Sequence, residues 1–125
     1  MITLDTGALI AIERRRAKAR ALLETAYKER LAVTIPAPAW GEWHAGRPRH
    51  GLGGLVEAVA IEPLTASLAE AAGRALATLR LDAKHFVDAA VMATAAARGD
   101  VVYTSDIDDM SRLQTCFPAV RLLRL

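Results

Sequence analysis

The sequence has few of the residues on which several classes of protein depend. It contains a single cysteine, Cys116, in 125 residues, so it can form no internal disulfide. It also has no Cys-x-x-Cys pair and no cluster of Cys and His, which excludes the usual zinc and iron–sulfur sites. Cys116 is therefore predicted to be an ordinary packed side chain.

Long apolar runs are missing too. A helix that crosses a bilayer needs about 20 apolar residues, and here Asp5, Glu13 and Arg14 interrupt the N-terminal apolar stretch. The N-terminus has neither the basic start nor the cleavage site of a signal peptide. We therefore expect a cytoplasmic protein without a membrane segment.

Two kinds of catalytic or nucleotide motif are also absent from the sequence. The glycine-rich residues 46–54 lack the strand context and spacing of a phosphate-binding loop, and we predict a turn or loop there. No serine stands in a nucleophile-elbow context, and the three histidines are scattered. The sequence therefore does not indicate a nucleotide-binding protein or a serine hydrolase.

What the chain does have is 53% hydrophobic residues, arranged as strands that alternate with helices. We predict strands at residues 1–4, 31–35, 58–64, 101–105 and 120–125. We predict helices after Gly7, at residues 17–29, from Pro36 onwards, and at residues 65–80, 85–98 and 106–115. This alternation predicts one α/β domain over residues 1–125, with three layers (α/β/α) around a mostly parallel sheet of about five strands.

Four carboxylates fall where these strands end or helices begin. We call Asp5, Glu42, Asp88 and Asp106 the four acids. Parallel sheets bind ligands at the carboxyl ends of their strands, and like charges brought together there are tolerated when a cation neutralises them. Oxygen ligands alone favour Mg²⁺ or Mn²⁺ over Zn²⁺.

Asp88 is the most informative of the four acids. It is the only charged residue between Phe86 and Ala97, in a helix apolar enough to be largely buried. An unpaired carboxylate in such a place costs several kcal/mol, so it needs a partner or a cation. The alternative is a first-turn acid that is favoured by the helix dipole and remains hydrated.

Each of the other three acids has an ordinary explanation when taken alone. Asp106 could cap the following helix, with Asp109 as the acidic member of a capping box. Asp5 could belong to a turn or cap, and Glu42 could be a surface residue. The hypothesis of a metal site therefore rests on all four together.

Charge is distributed unevenly along the chain. Residues 14–49 contain nine Lys or Arg against three Glu, whereas residues 100–109 contain four Asp and no basic residue. The nine are Arg14, Arg15, Arg16, Lys18, Arg20, Lys28, Arg30, Arg47 and Arg49. A basic region beside an acidic site suits a polymer held by its phosphates, although Arg14 to Arg20 could equally be a solvated helix face.

The motifs that contain the four acids resemble those of the PIN-domain ribonucleases, in particular the VapC-type toxins. LDTGAL (residues 4–9) resembles the first acid motif of that family, IPAPAWGEW (35–43) the second, and FVDAAVMATAAARGDVVYTSD (86–106) the third and fourth. Gly7, where serine is frequent, and Met110, where an aromatic often follows, depart from the pattern.

The resemblance implies an activity, a cofactor and partners. The four acids, with Asp109 at the periphery, would bind Mg²⁺ or Mn²⁺ in an endoribonuclease. Thr6 and Thr104 would lie next to the site, and Arg14, Arg15, Arg16, Arg47 and Arg49 would contact the RNA backbone. A small antitoxin and a second copy of the chain would be its protein partners.

Two other functions are compatible with the sequence. A PIN-like scaffold could bind RNA or protein without cleaving it. A receiver-like signalling domain also binds Mg²⁺ with acids at strand ends, but it would need a pair of acids after the first strand, where Asp5 is alone.

Overall fold

Five short parallel strands form the centre of the molecule. The computed structural model describes residues 1–125, the side chain of Val56 excepted. The strands are β1 (Ile2–Leu4), β2 (Val33–Pro36), β3 (Ala60–Glu62), β4 (Val101–Thr104) and β5 (Arg121–Arg124). They lie in the order β3-β2-β1-β4-β5, and every neighbouring pair is parallel. The predicted α/β fold around a sheet of about five strands is confirmed.

Seven helices connect and cover these strands. They are α1 (Thr6–Glu13), α2 (Ala17–Lys28), α3 (Ala37–Ala45), α4 (Leu55–Ala58), α5 (Ala66–Leu79), α6 (Phe86–Arg98) and α7 (Ile107–Gln114). A short 3₁₀ turn, Ala83–His85, leads into α6. In the part of the chain that the structure describes, no helix is long and apolar enough to cross a membrane.

The region around β3 differs from the prediction. The strand predicted at residues 58–64 covers only Ala60–Glu62, and Ala58 instead ends the short helix α4, which was not predicted. Short apolar runs do not distinguish a strand from a helical turn by their periodicity. β3 is also an edge strand with an exposed first residue, so little burial favours a longer one.

The order of the strands locates a binding region. β1 to β3 run outward on one side of the sheet, and the chain then returns to place β4 beside β1. The strand order therefore changes direction between β1 and β4. Open α/β sheets bind ligands at such a position, beyond the carboxyl ends of their strands. The receiver fold has the order 2-1-3-4-5, so the receiver alternative is wrong for this chain.

Helix α6 is the most deeply buried helix and contacts β1, β2 and β4. Residues 89–95 are all buried, and four of these seven residues are alanine. Alanine side chains let the helix axis approach the sheet closely, because they project little beyond the backbone. The first turn of α6 therefore lies against the edge at which β1 and β4 end.

Candidate metal centre

The structure places the four acids at the carboxyl edge of the sheet. Asp5 follows β1, Glu42 is the sixth residue of α3, Asp88 is in the first turn of α6, and Asp106 lies between β4 and α7. Glu42 is thus later in its helix than the sequence suggested. Asp5, Glu42 and Asp106 all lie near enough to Asp88 for their charges to act on it.

Asp5 is the innermost of the four acids, with 4% of its surface exposed. Its Oδ1 accepts a hydrogen bond of 2.7 Å from the backbone N–H of Ala8 and so caps α1. Burial raises the pKa of Asp5, the Thr104 hydroxyl and the Ala8 N–H oppose that rise, and the charges of Asp106 and Glu42 add to it. Asp5 therefore caps α1 through Oδ1, and its second carboxylate oxygen is not used by the cap.

Asp88 is half-buried at the start of α6. Burial raises the pKa of its carboxyl group from 3.8 to about 6, and the negative charges of Asp5, Glu42, Asp106 and Asp109 contribute further. The favourable end of the helix dipole is therefore not enough to keep this group at its ordinary pKa. A carboxylate that resists ionisation because it is buried, and next because of its acidic neighbours, is a group that a cation would stabilise.

Asp106 is the N-cap residue of α7, but among the described residues its side chain accepts no capping hydrogen bond of regular geometry, although the Asp109 N–H is near enough to lower its pKa. Desolvation raises the pKa of Asp106, and the carboxyl group of Asp109 raises it further, although the residue as a whole is exposed. Asp109 therefore lies beside Asp106 at the rim of the cluster. Asp106 therefore occupies the N-cap position of α7, as the capping explanation requires, without a regular side-chain capping bond.

No basic side chain that the structure describes forms an ion pair with any of the four acids. Among the described side chains, the ion pairs join Arg74 to Glu70 and Arg98 to Glu62 and Asp100. Among the described residues, compensation comes from the Thr104 hydroxyl beside Asp5 and from the N-termini of α1, α6 and α7, whose dipoles favour negative charge by a few tenths to about 1 kcal/mol each. The cluster thus has an excess of negative charge that the protein leaves uncompensated.

Comparison with known proteins identifies the family. Residues 2–114 match the model of the PIN domain. The chain belongs to the PIN-domain family. Among curated proteins, none matches it significantly.

Two solved structures share the fold of this PIN domain. One is the crystal structure of VapBC2 from Rickettsia felis bound to a DNA fragment from their promoter, with TM-score 0.75, 18% identity, and coverage of 100% of this chain and 99% of that chain. The other is DNA-bound VapBC from Salmonella typhimurium, with TM-score 0.73, 17% identity, and coverage of 98% and 96%.

The PIN domain's four acids fit a hard divalent cation in the type and charge of their donor atoms. All are carboxylates, the ligands that Mg²⁺ and Mn²⁺ prefer. As they stand, no three His, Cys, Asp or Glu side chains among the described residues are close enough to hold one ion together. Binding would therefore require these side chains to move inward, and Glu42 and Asp106 are exposed and free to do so.

Two threonines of the PIN domain were expected beside the acids. Thr104 is fully buried, adjoins Asp5, and its hydroxyl accepts a hydrogen bond of 2.9 Å from the Asp106 N–H. Thr104 thus contacts both Asp5, which follows β1, and Asp106, which follows β4. Thr6 has a buried hydroxyl for which the described part of the structure supplies no partner.

Gly7, which departs from the family pattern, has a structural counterpart in Ser105. A Cβ at position 7 would overlap the Ser105 hydroxyl, and it would lie 3.5 Å from Oδ1 of Asp5. Ser105 therefore places a hydroxyl group beside the first turn of α1, where a serine at position 7 would also place one. The sequence identified Gly7 as a departure, but no local pattern connected it with Ser105.

The basic residues of the PIN domain separate into two groups. Arg14, Arg47 and Arg49 line one pocket together with Thr6 and Glu42. The other two lie elsewhere: Arg15 beside residues 51–53, and Arg16 beside Ser105 and Leu125. Of the five arginines predicted to contact the RNA backbone, three thus lie beside one of the four acids, Glu42.

Trp43, next to Glu42 on α3, both packs in the core and lines a pocket. It is buried, and its ring stacks on Trp40 with centroids 5.6 Å apart. It also lines the pocket beside Glu42. The signal that could have found it is its position next to a predicted metal ligand on the same helix.

Proposed function

We propose that this PIN domain is a Mg²⁺- or Mn²⁺-dependent endoribonuclease and the toxin of a type II toxin–antitoxin pair. The observation that supports the enzymatic part most strongly is the meeting of four carboxylates that no basic side chain among the described residues neutralises. An excess of negative charge at the ligand-binding edge of an α/β sheet calls for a cation.

Asp5, Glu42, Asp88 and Asp106 would hold the cation, with Asp109 at the periphery. Once bound, it would polarise a phosphodiester and lower the pKa of a bound water. The chain itself orients the ligands: the Ala8 N–H fixes one oxygen of Asp5, and Thr104 fixes the backbone at Asp106. One of the acids would accept a proton from the attacking water.

Single-stranded or looped RNA is the proposed substrate, because unstacked nucleotides can be drawn into a pocket at a sheet edge. The basic side chains of Arg14, Arg47 and Arg49 beside Glu42 support an anionic polymer. The expected result is cleavage of a single-stranded RNA with Mg²⁺ or Mn²⁺ and none with EDTA. Purified protein that leaves RNA intact under every metal condition would refute the proposal.

The toxin assignment rests on the family and on the two VapBC structures that share the fold. We propose a small antitoxin that covers the acidic site, and a homodimer of the toxin. Co-expression with the neighbouring open reading frame should yield a complex without ribonuclease activity. If the two products neither associate nor inhibit, the toxin assignment fails while the nuclease assignment stands.

A non-catalytic PIN scaffold is the second candidate. It is favoured by the spacing of the acids, since no three ligating side chains in the described part of the chain are close enough for one ion. RNA binding without cleavage in Mg²⁺ and Mn²⁺ would support it over the nuclease.

A further inference from the structure

A hydroxyl group from the loop after β4 lies against the first turn of α1. Ser105 stands between the last residue of β4 and Asp106, and Gly7 is the second residue of α1. A Cβ at position 7 would be 2.2 Å from Oγ of Ser105 and 3.4 Å from its Cβ, and real Cβ atoms essentially never come within 3.0 Å of another heavy atom. The Ser105 hydroxyl therefore occupies the space that a side chain at position 7 would need.

This space also adjoins Asp5, the innermost of the four acids. The point at which that Cβ would stand is 2.2 Å from the Ser105 hydroxyl and 3.5 Å from Oδ1 of Asp5. The hydrogen bonds of Asp5 in the described structure come from other groups, namely the Ala8 N–H and the Thr104 hydroxyl. Two polar groups that are close but not in direct contact can be joined by one water molecule.

Ser105 differs from the two threonines at this edge of the sheet. Thr104 is fully buried, and its hydroxyl accepts a hydrogen bond from the Asp106 N–H. The hydroxyl of Thr6 is closed to solvent. Ser105 is exposed, and its hydroxyl forms no hydrogen bond with another described residue. Of the three hydroxyls, that of Ser105 is the one available to hold a water molecule beside the acids.

The orientation of Asp5 matters because it is the least mobile of the acids. It is 4% exposed, whereas Glu42 and Asp106 are exposed and can move toward a cation. Its Oδ1 accepts the capping hydrogen bond, and its second oxygen is not used by the cap. Groups that hold the other oxygen of a ligating carboxylate orient the ligand, and losing one such outer partner costs a metal site roughly 10- to 100-fold in affinity.

We infer that Ser105 is a positioning residue for metal binding by Asp5. Its hydroxyl donates to a water molecule that in turn donates to Oδ1, and this directs the second oxygen of Asp5 toward the cation. Glycine at position 7 leaves the room that this hydroxyl needs. The inference rests on the proposed function, because it takes the four acids as the ligands of a cation.

The shared space makes positions 7 and 105 exchangeable. Gly7→Ser places a hydroxyl one bond from the Cβ position, which is 2.2 Å from the present Ser105 hydroxyl. In a Ser105→Ala background, where that hydroxyl is absent, Gly7→Ser can therefore supply it again. Gly7→Ala in the same background adds the carbon without the oxygen. A merely structural role of Ser105 would not distinguish these two double variants.

The test measures Mn²⁺ binding to the full chain by isothermal titration calorimetry, after EDTA has been used to remove metal and has itself been dialysed away. Wild type is compared with Ser105→Ala, Gly7→Ser/Ser105→Ala and Gly7→Ala/Ser105→Ala. Ser111→Ala is the matched control, because Ser111 is an exposed serine of α7 whose hydroxyl bonds only to the Ile107 carbonyl of its own helix. Urea denaturation in EDTA verifies that every variant is folded.

We expect Ser105→Ala to weaken Mn²⁺ binding about tenfold or more. Its urea midpoint in EDTA should stay close to that of the wild type, since the hydroxyl has no partner among the described residues. Gly7→Ser should return Ser105→Ala to within about twofold of wild-type affinity, as compensating neighbours do, and Gly7→Ala should not. Ser111→Ala should bind Mn²⁺ as the wild type does.

RNA cleavage provides a second measurement. If Ser105 acts through Asp5 on metal binding, Ser105→Ala should need about tenfold more Mn²⁺ for half-maximal cleavage. Its rate at saturating Mn²⁺ should approach that of the wild type. A loss of rate that saturating Mn²⁺ does not recover would overturn the positioning role.

The outcomes distinguish the inference from the proposed function. If Ser105→Ala binds Mn²⁺ as tightly as the wild type, or if Gly7→Ser restores binding no better than Gly7→Ala, the inference is overturned and a nuclease that cleaves RNA stands. Wild-type protein that binds no Mn²⁺ overturns both. If Gly7→Ser alone restores the lost binding and no form of the protein cleaves RNA, the positioning role stands and the nuclease fails.

Discussion

The sheet carries one buried aspartate at each end, and the two have different partners. Asp100 precedes β4 at the amino end and is 3% exposed, and its Oδ2 accepts hydrogen bonds from Arg98 Nε at 3.0 Å and Thr3 Oγ1 at 2.9 Å. Asp5 follows β1 at the carboxyl end and is 4% exposed, with the Ala8 N–H and the Thr104 hydroxyl as neighbours but no basic side chain in the described structure.

This difference separates an acid that has a basic partner from one that has none among the described residues. At the amino end the protein supplies the countercharge itself, through Arg98, which also reaches Glu62 at 3.6 Å. At the carboxyl end several acids gather, and no basic side chain among the described residues forms an ion pair with them. Two equally buried carboxylates can therefore have different roles, because the role depends on whether a basic side chain is their partner.

The largest expected effect is on activity at the carboxyl end. Asp5→Asn or Asp88→Asn should reduce Mg²⁺-dependent RNA cleavage by more than the roughly 10- to 100-fold that losing an outer partner costs a metal site. Asp108→Asn, which removes an exposed acid of α7, is the control and should retain activity. The measurement is the initial rate of RNA cleavage, and full activity in either site variant would remove that residue from the site.

The next largest effect is on stability at the amino end. Asp100→Ala should lower the free energy of unfolding by about 2–3 kcal/mol, because it leaves Arg98 and Thr3 without their acceptor. Glu70→Ala breaks the exposed pair with Arg74 and should cost less than about 1 kcal/mol. Urea denaturation in EDTA measures both, and equal losses would contradict the contrast between the two ends.

A smaller effect concerns pH. The pKa of Asp88 is raised from 3.8 to about 6 in the folded protein, so its protonated form is favoured there. Stability from this group is present below pH about 4 and is lost as pH rises through about 6. Removing the charge in metal-free Asp88→Asn should therefore raise stability by about 1–2 kcal/mol at pH 7, after allowance for solvent screening, and by almost nothing at pH 4.

Urea denaturation in EDTA at the two pH values measures this difference. A gain in Asp88→Asn that is the same at both would show that the charge of Asp88 is not responsible. Added Mg²⁺ should stabilise the wild type and not the variant, because only the wild type retains the full set of ligands.

The smallest expected effect tests the contact between Gly7 and Ser105. Alanine is favoured over glycine inside a helix by up to about 1 kcal/mol, but a Cβ at position 7 meets the Ser105 hydroxyl. Gly7→Ala should therefore stabilise the protein more in a Ser105→Ala background than in the wild type. The coupling should be about 0.5–1 kcal/mol in a double-mutant cycle, and additive effects would show that Ser105 moves aside freely.

Several features of the site were predictable because they depend on local sequence. Asp5 and Asp106 directly follow apolar strands, and parallel strands end at a shared edge, so their proximity follows from the fold class. Asp88 stood out because its helix is otherwise apolar, and burial of that helix follows from its composition. The β-strand positions were found except near β3, where short apolar runs are ambiguous.

Other features depend on contacts between distant segments. No local pattern shows that Asp106 lacks a regular side-chain capping bond to α7, or that Arg14 joins Arg47 and Arg49 while Arg15 and Arg16 do not. The same holds for Trp43, whose unpartnered indole N–H depends on what surrounds it after folding.

The sequence by itself determined the α/β architecture and the presence of acids at its binding edge, since hydrophobic periodicity and strand ends are properties of short segments. Only the tertiary structure decided which carboxylates have a basic partner and which do not. Asp100 and Asp5 are both aspartates next to short apolar strands, and only the position of Arg98 relative to each distinguishes them. Whether a carboxylate has a countercharge depends on its distance from a basic side chain in the folded protein, and the order of residues in the sequence does not give that distance.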